Sequence, residues 1–274
     1  MRVAIQGERG SFSDEAARRL CVRPQLKCCT NFEEVFRSLA ARQCNAAVIP
    51  IENTLAGSVG ANYDLLRREA VWIGGETSVR IAHQLLAAPG VSLRRIRRVL
   101  SHPVALEQCR RFLARHPHWE VVPFYDTAGS AKHVMAARLA DTAAIAGVAA
   151  SREYGARVLR RGIEDNKQNF TRFFLLYRRS RPVARADKIS LVFTTRNRPG
   201  ALFRCLSAFA LRDLSLTRIA SRPVAGRPWE YHFYLDLLGH LNEDRVRNAI
   251  VHLRELADEV KILGWYRAGA KPLA

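Results

Sequence analysis

The sequence lacks any apolar stretch approaching the roughly 20 residues that a membrane span needs. It also lacks the apolar core and small-residue cleavage site of a signal peptide, because Met1 leads at once into the strand-like segment Arg2–Gln6. These two absences argue against membrane-spanning and exported proteins. We therefore predict a cytoplasmic protein with no membrane partner.

Metal-binding and redox patterns are missing as well. The six cysteines form no C-x-x-C pair and have no accompanying histidine cluster, so neither a zinc site nor a redox dithiol is expected. In a chain without an export signal we expect these cysteines to be reduced and mostly buried. His116 and His118 are expected to lie in a loop. The sequence therefore predicts no metal site.

Lysine is scarce, since only six of the 44 basic residues are lysine and the other 38 are arginine. With 25 acidic residues the formal net charge is +19, which attracts nucleic acid or small polycarboxylates and phosphates. The arginines are spread along the chain in short clusters such as residues 94–98, without a long basic tail. This distribution favours a solvated arginine-rich surface, and we predict no nucleic-acid partner. A nucleic-acid-binding regulator is the alternative that the charge suggests.

The length of the chain predicts more than one folding unit. Its 274 residues are about twice the ~150 that serve as a prior for one domain, and its composition is that of a globular protein.

Strand and helix patterns alternate through the first two thirds of the chain. Residues 46–50 form a continuous apolar run, typical of a buried strand in a parallel sheet, and Asn31 with Glu34 predicts a helix start. A long strand over residues 79–87 opens a second α/β pattern.

This alternation predicts two α/β lobes with a cleft between them. Lobe 1 is expected to comprise about residues 1–76 and 156–180, and lobe 2 about residues 77–155. Lobe 2 includes a predicted helix over residues 105–115, and an aromatic-rich strand is predicted at Phe170–Tyr177.

Residues 181–187 are polar and contain proline, which predicts a linker. Beyond it, over residues 188–267, the predicted order is strand, helix, two strands, helix, strand. This βαββαβ order predicts a small α+β sandwich of the ferredoxin-like type.

Four separated motifs carry a resemblance that covers nearly the whole chain. They are residues 7–13 (GERGSFS), residues 50–59 (PIENTLAGSV), residues 101–103 (SHP) with Gln108, and residues 169–173 (NFTRF). In this order and spacing they resemble the prephenate dehydratase family. Residues 198–202 (RPGAL) and 221–223 (SRP) resemble the ACT regulatory domain attached to that family.

The resemblance implies a carbon–oxygen lyase that converts prephenate to phenylpyruvate in phenylalanine biosynthesis, with loss of carbon dioxide and the ring hydroxyl. It implies no metal, no organic cofactor, and a homodimer or homotetramer. Residues 1–180 would form a dehydratase domain with lobes like those of periplasmic binding proteins, and residues 188–267 an ACT domain. Because the chain starts directly at the dehydratase strand, we expect a monofunctional enzyme without a chorismate mutase domain in front.

Thr171 is the residue that the resemblance associates with catalysis, through a hydrogen bond to the departing hydroxyl. Alternation along the strand places Asn169, Thr171 and Phe173 on one face and Arg172 on the other. A threonine hydroxyl is too weak an acid to protonate hydroxide, so we expect it to supply a donor and hold geometry. Phe173 is expected in the substrate site. Arg172 either anchors a substrate carboxylate or pairs with an acidic neighbour.

Other substrate-binding residues are expected at strand ends and helix starts or, for Gln108, about two turns into a helix. They are Ser11, Glu52, Asn53, Ser101, Gln108 and Thr127. Ser11 would offer its hydroxyl and helix amides to a carboxylate, or serve only as a helix cap. Glu52 would face a dianion only if protonated or paired, so a structural ion pair is an equal alternative. His102 is either a proton donor or a packing element.

The C-terminal motifs predict an effector site for phenylalanine at a subunit interface. Its residues are Gly200, Ala201, Leu202, Ser221, Arg222 and Pro223. The family motif usually reads Glu-Ser-Arg-Pro, and here Ala220 replaces the glutamate, so we expect weak inhibition. Glu8 is a second departure, since proline is usual there.

Two alternative functions stay open. Arogenate differs from prephenate only by an amino group in the side chain and is an alternative substrate. A two-lobed α/β fold also resembles solute-binding proteins, so a non-catalytic protein that senses an amino acid is the alternative outside the enzymes.

Overall fold

The computed structural model describes residues 1–181 and 183–270, and Pro182 of the predicted linker lies outside the described residues. The chain divides into two compact units. Unit 1 comprises residues 1–58 and 77–173, and unit 2 comprises residues 59–76 and 174–270. The chain therefore crosses from one unit to the other three times, after residues 58, 76 and 173.

Helices and strands alternate along the chain. The helices are α1 (Phe12–Leu20), α2 (Phe32–Ala40), α3 (Gly60–Arg68), α4 (Pro103–Gln108), α5 (Arg110–Leu113), α6 (Thr127–Ala136), α7 (Val148–Tyr154), α8 (Ala201–Ala210) and α9 (Asp244–Leu256). The strands are β1 (Arg2–Gln6), β2 (Gln25–Cys29), β3 (Ala46–Asn53), β4 (Gly57–Ser58), β5 (Trp72–Arg80), β6 (Gln84–Ala87), β7 (Arg98–Ser101), β8 (Glu120–Pro123), β9 (Thr142–Ala146), β10 (Arg157–Arg161), β11 (Phe170–Tyr177), β12 (Lys188–Thr195), β13 (Leu216–Val224), β14 (Arg227–Leu238) and β15 (Glu259–Tyr266).

Lobe 1 of unit 1 is built on a parallel sheet in which β1 lies between β2 and β3. β11 lies on the other side of β3. As predicted, Asn31 caps α2, because its Oδ1 accepts the backbone N–H of Glu34 at 2.8 Å. β3 runs beyond its predicted end to Asn53, so Glu52 and Asn53 are its last two residues.

Lobe 2 of unit 1 is a second sheet with the strand order β10-β6-β9-β7-β8. β7 is parallel to β8 and β9, whereas β6 is antiparallel to both β9 and β10. Its core includes the buried side chains of Leu85, Val99 and Ile145. Because β10 pairs with β6, residues 157–161 belong to lobe 2, and the predicted boundary at residue 155 lies too early.

The strand predicted over residues 79–87 is interrupted. β5 ends at Arg80 and β6 begins at Gln84. Between them the backbone forms hydrogen bonds with a loop instead of with a neighbouring strand. The N–H of Ile81 donates to the carbonyl of Asn169 at 2.7 Å, and the N–H of His83 donates to the Glu164 carboxylate at 2.9 Å. Both partners come from the loop between β10 and β11.

The helix predicted over residues 105–115 is divided at Cys109 into α4 and α5. The same loop is responsible. The N–H of Asp165 donates to the carbonyl of Gln108 at 2.7 Å, and the Asp165 carboxylate accepts the N–H of Arg111 at 3.1 Å. The loop thus takes hydrogen-bonding groups that an unbroken helix would use itself.

Unit 2 contains the predicted βαββαβ order as β12, α8, β13, β14, α9 and β15. Its strands form an antiparallel sheet in the order β13-β14-β12-β15, with β13 at the edge. Leu191, Phe193, Phe209, Leu235 and Leu253 are among its buried core residues. The predicted α+β sandwich topology is therefore present.

α3 also belongs to unit 2, although its sequence position lies early in the chain. The Tyr63 ring packs against the Tyr234 ring with centroids 4.7 Å apart, and the Tyr234 hydroxyl donates to the Tyr63 carbonyl at 2.9 Å. The ammonium group of Lys261 donates to three carbonyls at the end of α3, at 2.7 to 3.1 Å. A cation on these carbonyls satisfies acceptors that the helix leaves open.

No helix among the described residues combines the length and apolar character that a membrane span requires. Within residues 1–181 and 183–270, no cluster of three or more His, Cys, Asp or Glu side chains is placed to hold a metal ion. The six cysteines are free thiols, of which Cys28 is exposed and the other five are buried.

Candidate active site

Asn53, at the end of β3, has an amide whose orientation is set by the backbone. Its Oδ1 accepts the N–H groups of Leu55 and Ala56 at 3.0 and 2.8 Å. Its Nδ2 donates to the carbonyl of Phe170 at 3.2 Å. Because a backbone N–H only donates and a carbonyl only accepts, the amide oxygen and nitrogen of Asn53 are assigned without ambiguity.

The Asn53 amide nitrogen joins the predicted catalytic residue Thr171 of β11 to Asn169, which directly precedes that strand. It donates to Oδ1 of Asn169 at 2.7 Å and to Oγ1 of Thr171 at 2.9 Å. Asn169 and Thr171 therefore share one side of the strand, as the alternation predicts. Since Thr171 accepts from Asn53, its own O–H remains available to donate to another molecule.

The chain of hydrogen bonds continues from Asn169 to residues of lobe 2. With Oδ1 facing Asn53, Asn169 must present its NH₂ group to Oε1 of Gln108, at 2.9 Å. The same Gln108 oxygen lies 3.0 Å from Nε2 of His83, which must therefore carry a proton. The predicted residues Asn53, Gln108 and Thr171 are thus brought together through the fully buried Asn169.

His83 was not predicted from the sequence. The sequence pattern places it within the strand predicted over residues 79–87. The apolar residues of that strand explain its burial but do not indicate a polar partner. Its ring is 2% exposed, and burial lowers the pKa of its imidazole. The side chain is accordingly neutral, with the proton on the nitrogen that faces Gln108.

A pH-dependent loss of stability follows from His83 and from His232, a second buried histidine whose pKa is also lowered by burial. The unfolded chain binds protons near pH 6.5 but the folded one only at lower pH, so stability is full above pH 6.5 and falls below it. We expect a loss of roughly 1 kcal/mol per histidine between pH 7.5 and pH 5.5. Urea denaturation at both pH values measures it. A His118→Gln variant, changed at an exposed histidine, is the control, and equal stability at both pH values would contradict the prediction.

Glu52 and Arg172 contact each other. The Arg172 Nη2 atom lies 3.5 Å from the Glu52 carboxylate, and the arginine side chain is 15% exposed. Of the two interpretations that the sequence left open for each residue, this geometry favours the structural ion pair. Their predicted binding of substrate stays a prediction.

Ser11 serves as the N-cap of α1. Its hydroxyl accepts the N–H of Asp14 at 3.3 Å, and the residue is 6% exposed. Gly10 precedes it with a φ of +75°, and a Cβ there would lie 2.7 Å from the Cα of Ala150 in α7. The turn therefore requires glycine, and the cap that was one of two predicted roles for Ser11 is present.

Two predicted substrate residues are fully or almost fully enclosed. Ser101 is completely buried, and its hydroxyl donates to the carbonyl of Ile145 at 2.6 Å. Phe173 is 2% exposed within the core. The expectation that Ser101 reaches the cleft is wrong in this structure, because its hydroxyl ties β7 to β9. Thr127, half-buried, begins α6 directly after its N-cap Asp126.

Glu8 links the two lobes of unit 1. Its carboxylate accepts the Tyr125 hydroxyl at 3.0 Å and the Lys132 ammonium group at 3.0 Å. Burial together with the Glu8 carboxylate raises the pKa of Tyr125 to about 12, so the phenol stays protonated as a donor. The departure from the family pattern at residue 8 therefore adds contacts between the lobes.

The predicted effector residues occupy two places in unit 2. Gly200 precedes α8 with a φ of +76°, and Ala201 and Leu202 line a cavity of about 90 Å³ together with Trp229, Tyr231 and Phe233. Ser221, Arg222 and Pro223 lie on β13, where the Arg222 guanidinium pairs with Asp64 of α3 at 2.6 Å. Among the described residues, the second group does not line the cavity of the first.

Known proteins resemble this chain in sequence and in fold. The model of the prephenate dehydratase family matches residues 3–181. A protein described as arogenate dehydratase/prephenate dehydratase 2, chloroplastic, of Arabidopsis thaliana is 39% identical over 97% of this chain and 72% of its own length. A solved prephenate dehydratase from Arthrobacter aurescens, in complex with L-Phe, is 33% identical with a TM-score of 0.88, covering 97% of this chain and 90% of that one. The structure of GqqA, described as a novel type of quorum quenching acylase, is 31% identical with a TM-score of 0.89 over 98% of both chains. With a family model that matches well over half of its length, the chain belongs to the prephenate dehydratase family.

Proposed function

We propose that this chain catalyses the decarboxylation and dehydration of prephenate to phenylpyruvate. In this reaction the bond between the ring and its carboxylate breaks, and its electron pair enters the ring as carbon dioxide leaves. The bond between the ring carbon and the hydroxyl oxygen then breaks, and its electron pair leaves with the oxygen. The departing hydroxide takes up a proton and becomes water. Because the product ring is aromatic, the site needs positioning and a donor at the departing oxygen more than a strong acid.

The hydrogen bond from Asn53 to Thr171 is the observation that carries the proposal. It occupies the Thr171 oxygen at 2.9 Å and leaves the hydroxyl proton free for the departing oxygen of the substrate. The amide nitrogen of Gln108 has no protein acceptor among the described residues and supplies a second donor. Donors of this kind suit a dianionic substrate, which the net charge of +19 also attracts.

The choice between prephenate and arogenate is tested with purified protein. We expect kcat/KM for prephenate to exceed that for arogenate, since arogenate carries an ammonium group that needs an acceptor. Phenylpyruvate and phenylalanine are the respective products, and both are measured directly. A higher kcat/KM for arogenate would establish the alternative substrate, and turnover of neither would contradict a dehydratase.

The candidate site does not support an acylase activity like the one in the description of GqqA. Amide hydrolysis by a hydroxyl nucleophile needs a base beside that hydroxyl. Within the described residues, the Thr171 side chain bonds only to the amide of Asn53 and to no histidine or lysine.

For unit 2 we propose the role of an ACT regulatory domain within residues 188–267, with residues 1–180 as the dehydratase domain and phenylalanine as the effector. The βαββαβ topology and the aromatic-lined cavity beside Ala201 and Leu202 support it. The edge position of β13 suits a site completed by a second copy, in a homodimer or homotetramer. A cytoplasmic location remains part of this proposal.

Inhibition by phenylalanine is expected to be weak, and Ala220→Glu is expected to tighten it. The ammonium group of the effector needs an acceptor, and a charge-assisted hydrogen bond is worth about 1.5–3 kcal/mol, or roughly a ten- to hundredfold change in affinity. Titration of phenylalanine against both proteins in a turnover assay measures the change. Inhibition at low micromolar phenylalanine that Ala220→Glu leaves unchanged would show that the acceptor comes from elsewhere.

A further inference from the structure

We propose that His83 is a positioning residue for the dehydratase reaction. It holds the Gln108 amide so that the NH₂ group of Gln108 faces the substrate as a donor. The inference rests on the proposed function and adds a residue that does not itself contact the substrate. Its basis is a single directed chain of hydrogen bonds that starts at the backbone beside Asn53 and ends at the His83 ring.

Each bond in this chain determines the next. The backbone assigns the Asn53 nitrogen as a donor, so the Asn169 atom that faces it is oxygen, at 2.7 Å. The other Asn169 atom is then nitrogen and donates to Gln108 at 2.9 Å. The Gln108 atom between Asn169 and His83 is therefore oxygen, and His83 donates to it at 3.0 Å.

Two donors converge on one oxygen of Gln108, and this convergence gives the amide a single orientation. If the amide rotated by half a turn, its NH₂ group would face the NH₂ of Asn169 and that hydrogen bond would be lost. The bond to His83 would survive only if the imidazole moved its proton to Nδ1, where among the described residues it meets no acceptor. The nitrogen end is thereby directed away from both partners. Without His83 only one of the two restraints on Gln108 would remain.

The backbone that carries the His83 ring is itself held in place. The backbone N–H of His83 donates to the Glu164 carboxylate at 2.9 Å, and the His83 carbonyl accepts the N–H of Ile163 at 3.0 Å. Glu164 is in turn paired with Arg80 at 3.4 Å. The ring meets Phe12 edge to face, with centroids 5.8 Å apart. The anchor of Gln108 is thus in place before any substrate binds.

The test uses three replacements of His83 in the full chain. His83→Phe and His83→Leu remove the donor, whereas His83→Gln keeps an N–H group near the position of Nε2. We expect the first two to lower kcat/KM for the preferred substrate by about three- to tenfold, the range that one neutral hydrogen bond supports. His83→Gln should recover most of the loss. The two donor-free variants differ in shape, so one remains informative if the other does not fold.

A double-mutant cycle separates positioning from a structural role. In a Gln108→Leu background there is no amide to orient, so His83→Phe should then lower kcat/KM by less than twofold. His232→Phe, which replaces a buried histidine in unit 2, is the matched control and should show no coupling to Gln108. Equal losses from His83→Phe in both backgrounds would overturn the proposal. If the unchanged protein turned over neither prephenate nor arogenate, the proposed function would fail before this inference was reached.

Discussion

Replacing Thr171 by alanine is expected to lower kcat by about 10²- to 10³-fold, the cost of removing one donor aimed at charge that develops in a transition state. The expectation depends on the direction of one hydrogen bond. Because Thr171 accepts from Asn53 at 2.9 Å, its proton has no protein acceptor among the described residues and is free for the departing hydroxyl. Steady-state turnover of prephenate, with circular dichroism to check the fold, measures the effect.

Two further variants make this test specific. Thr171→Ser keeps the hydroxyl and should retain activity within about tenfold, since the hydrogen bond to Asn53 can still form. Thr142→Ala removes another buried threonine hydroxyl of unit 1, one that donates to Asp141 at 2.8 Å, and should leave kcat nearly unchanged. If Thr171→Ala kept more than half of the turnover number, the catalytic assignment of Thr171 would be wrong.

Asn53→Asp is expected to cost both activity and stability, although it changes the side chain by a single atom type. The new carboxylate oxygen would face the carbonyl of Phe170 and the amide oxygen of Asn169, two acceptors that currently receive a proton from Asn53. It would also draw the Thr171 proton toward itself, away from the substrate. The Phe170 carbonyl keeps the N–H of Thr54 at 2.9 Å, but the buried Asn169 oxygen is left without a donor, which costs about 1–3 kcal/mol. We therefore expect a kcat loss at least as large as that of Thr171→Ala.

Denaturation by urea and steady-state kinetics on the same preparation measure the two effects of Asn53→Asp. The matched control is Asn45→Asp, because the exposed Asn45 uses only its amide oxygen, which accepts the N–H of Arg2 at 2.9 Å. An aspartate can do the same, so this variant should behave like the unchanged protein. Near-normal turnover by Asn53→Asp would contradict the donor direction on which the site is built.

The elements that depend on local pattern could be predicted from the sequence. β11 has the predicted bounds, Asn31 caps α2 as its spacing with Glu34 indicates, and the βαββαβ order of unit 2 follows from alternation and turn residues. The grouping of Asn169 with Thr171 also follows, because a strand places alternate residues on one side.

The contacts that complete the site could not be predicted in this way. His83, Gln108 and Asn169 meet across separations of 25 and 61 residues, and no local period encodes such a meeting. The same reason explains Ser101, which resembles an exposed strand end in sequence but is covered by β9, 44 residues further along. Glu52 and Arg172 carried two open interpretations because the sequence does not tell which charge lies opposite each of them.

The position of α3 bears on how this polypeptide can be shortened. A protein cut after residue 181 would keep α3 but lose Tyr234 and Lys261, which pack against its ring and close its last turn. The Tyr63 ring and the three carbonyls at the helix end would then meet water or another molecule. Along the chain only six residues separate α3 from Asn53, so its unravelling would begin shortly after a site residue in the sequence. The two halves of this sequence are thus poor candidates for interchangeable modules, and a deletion of the C-terminal half is expected to yield a protein prone to aggregation and proteolysis.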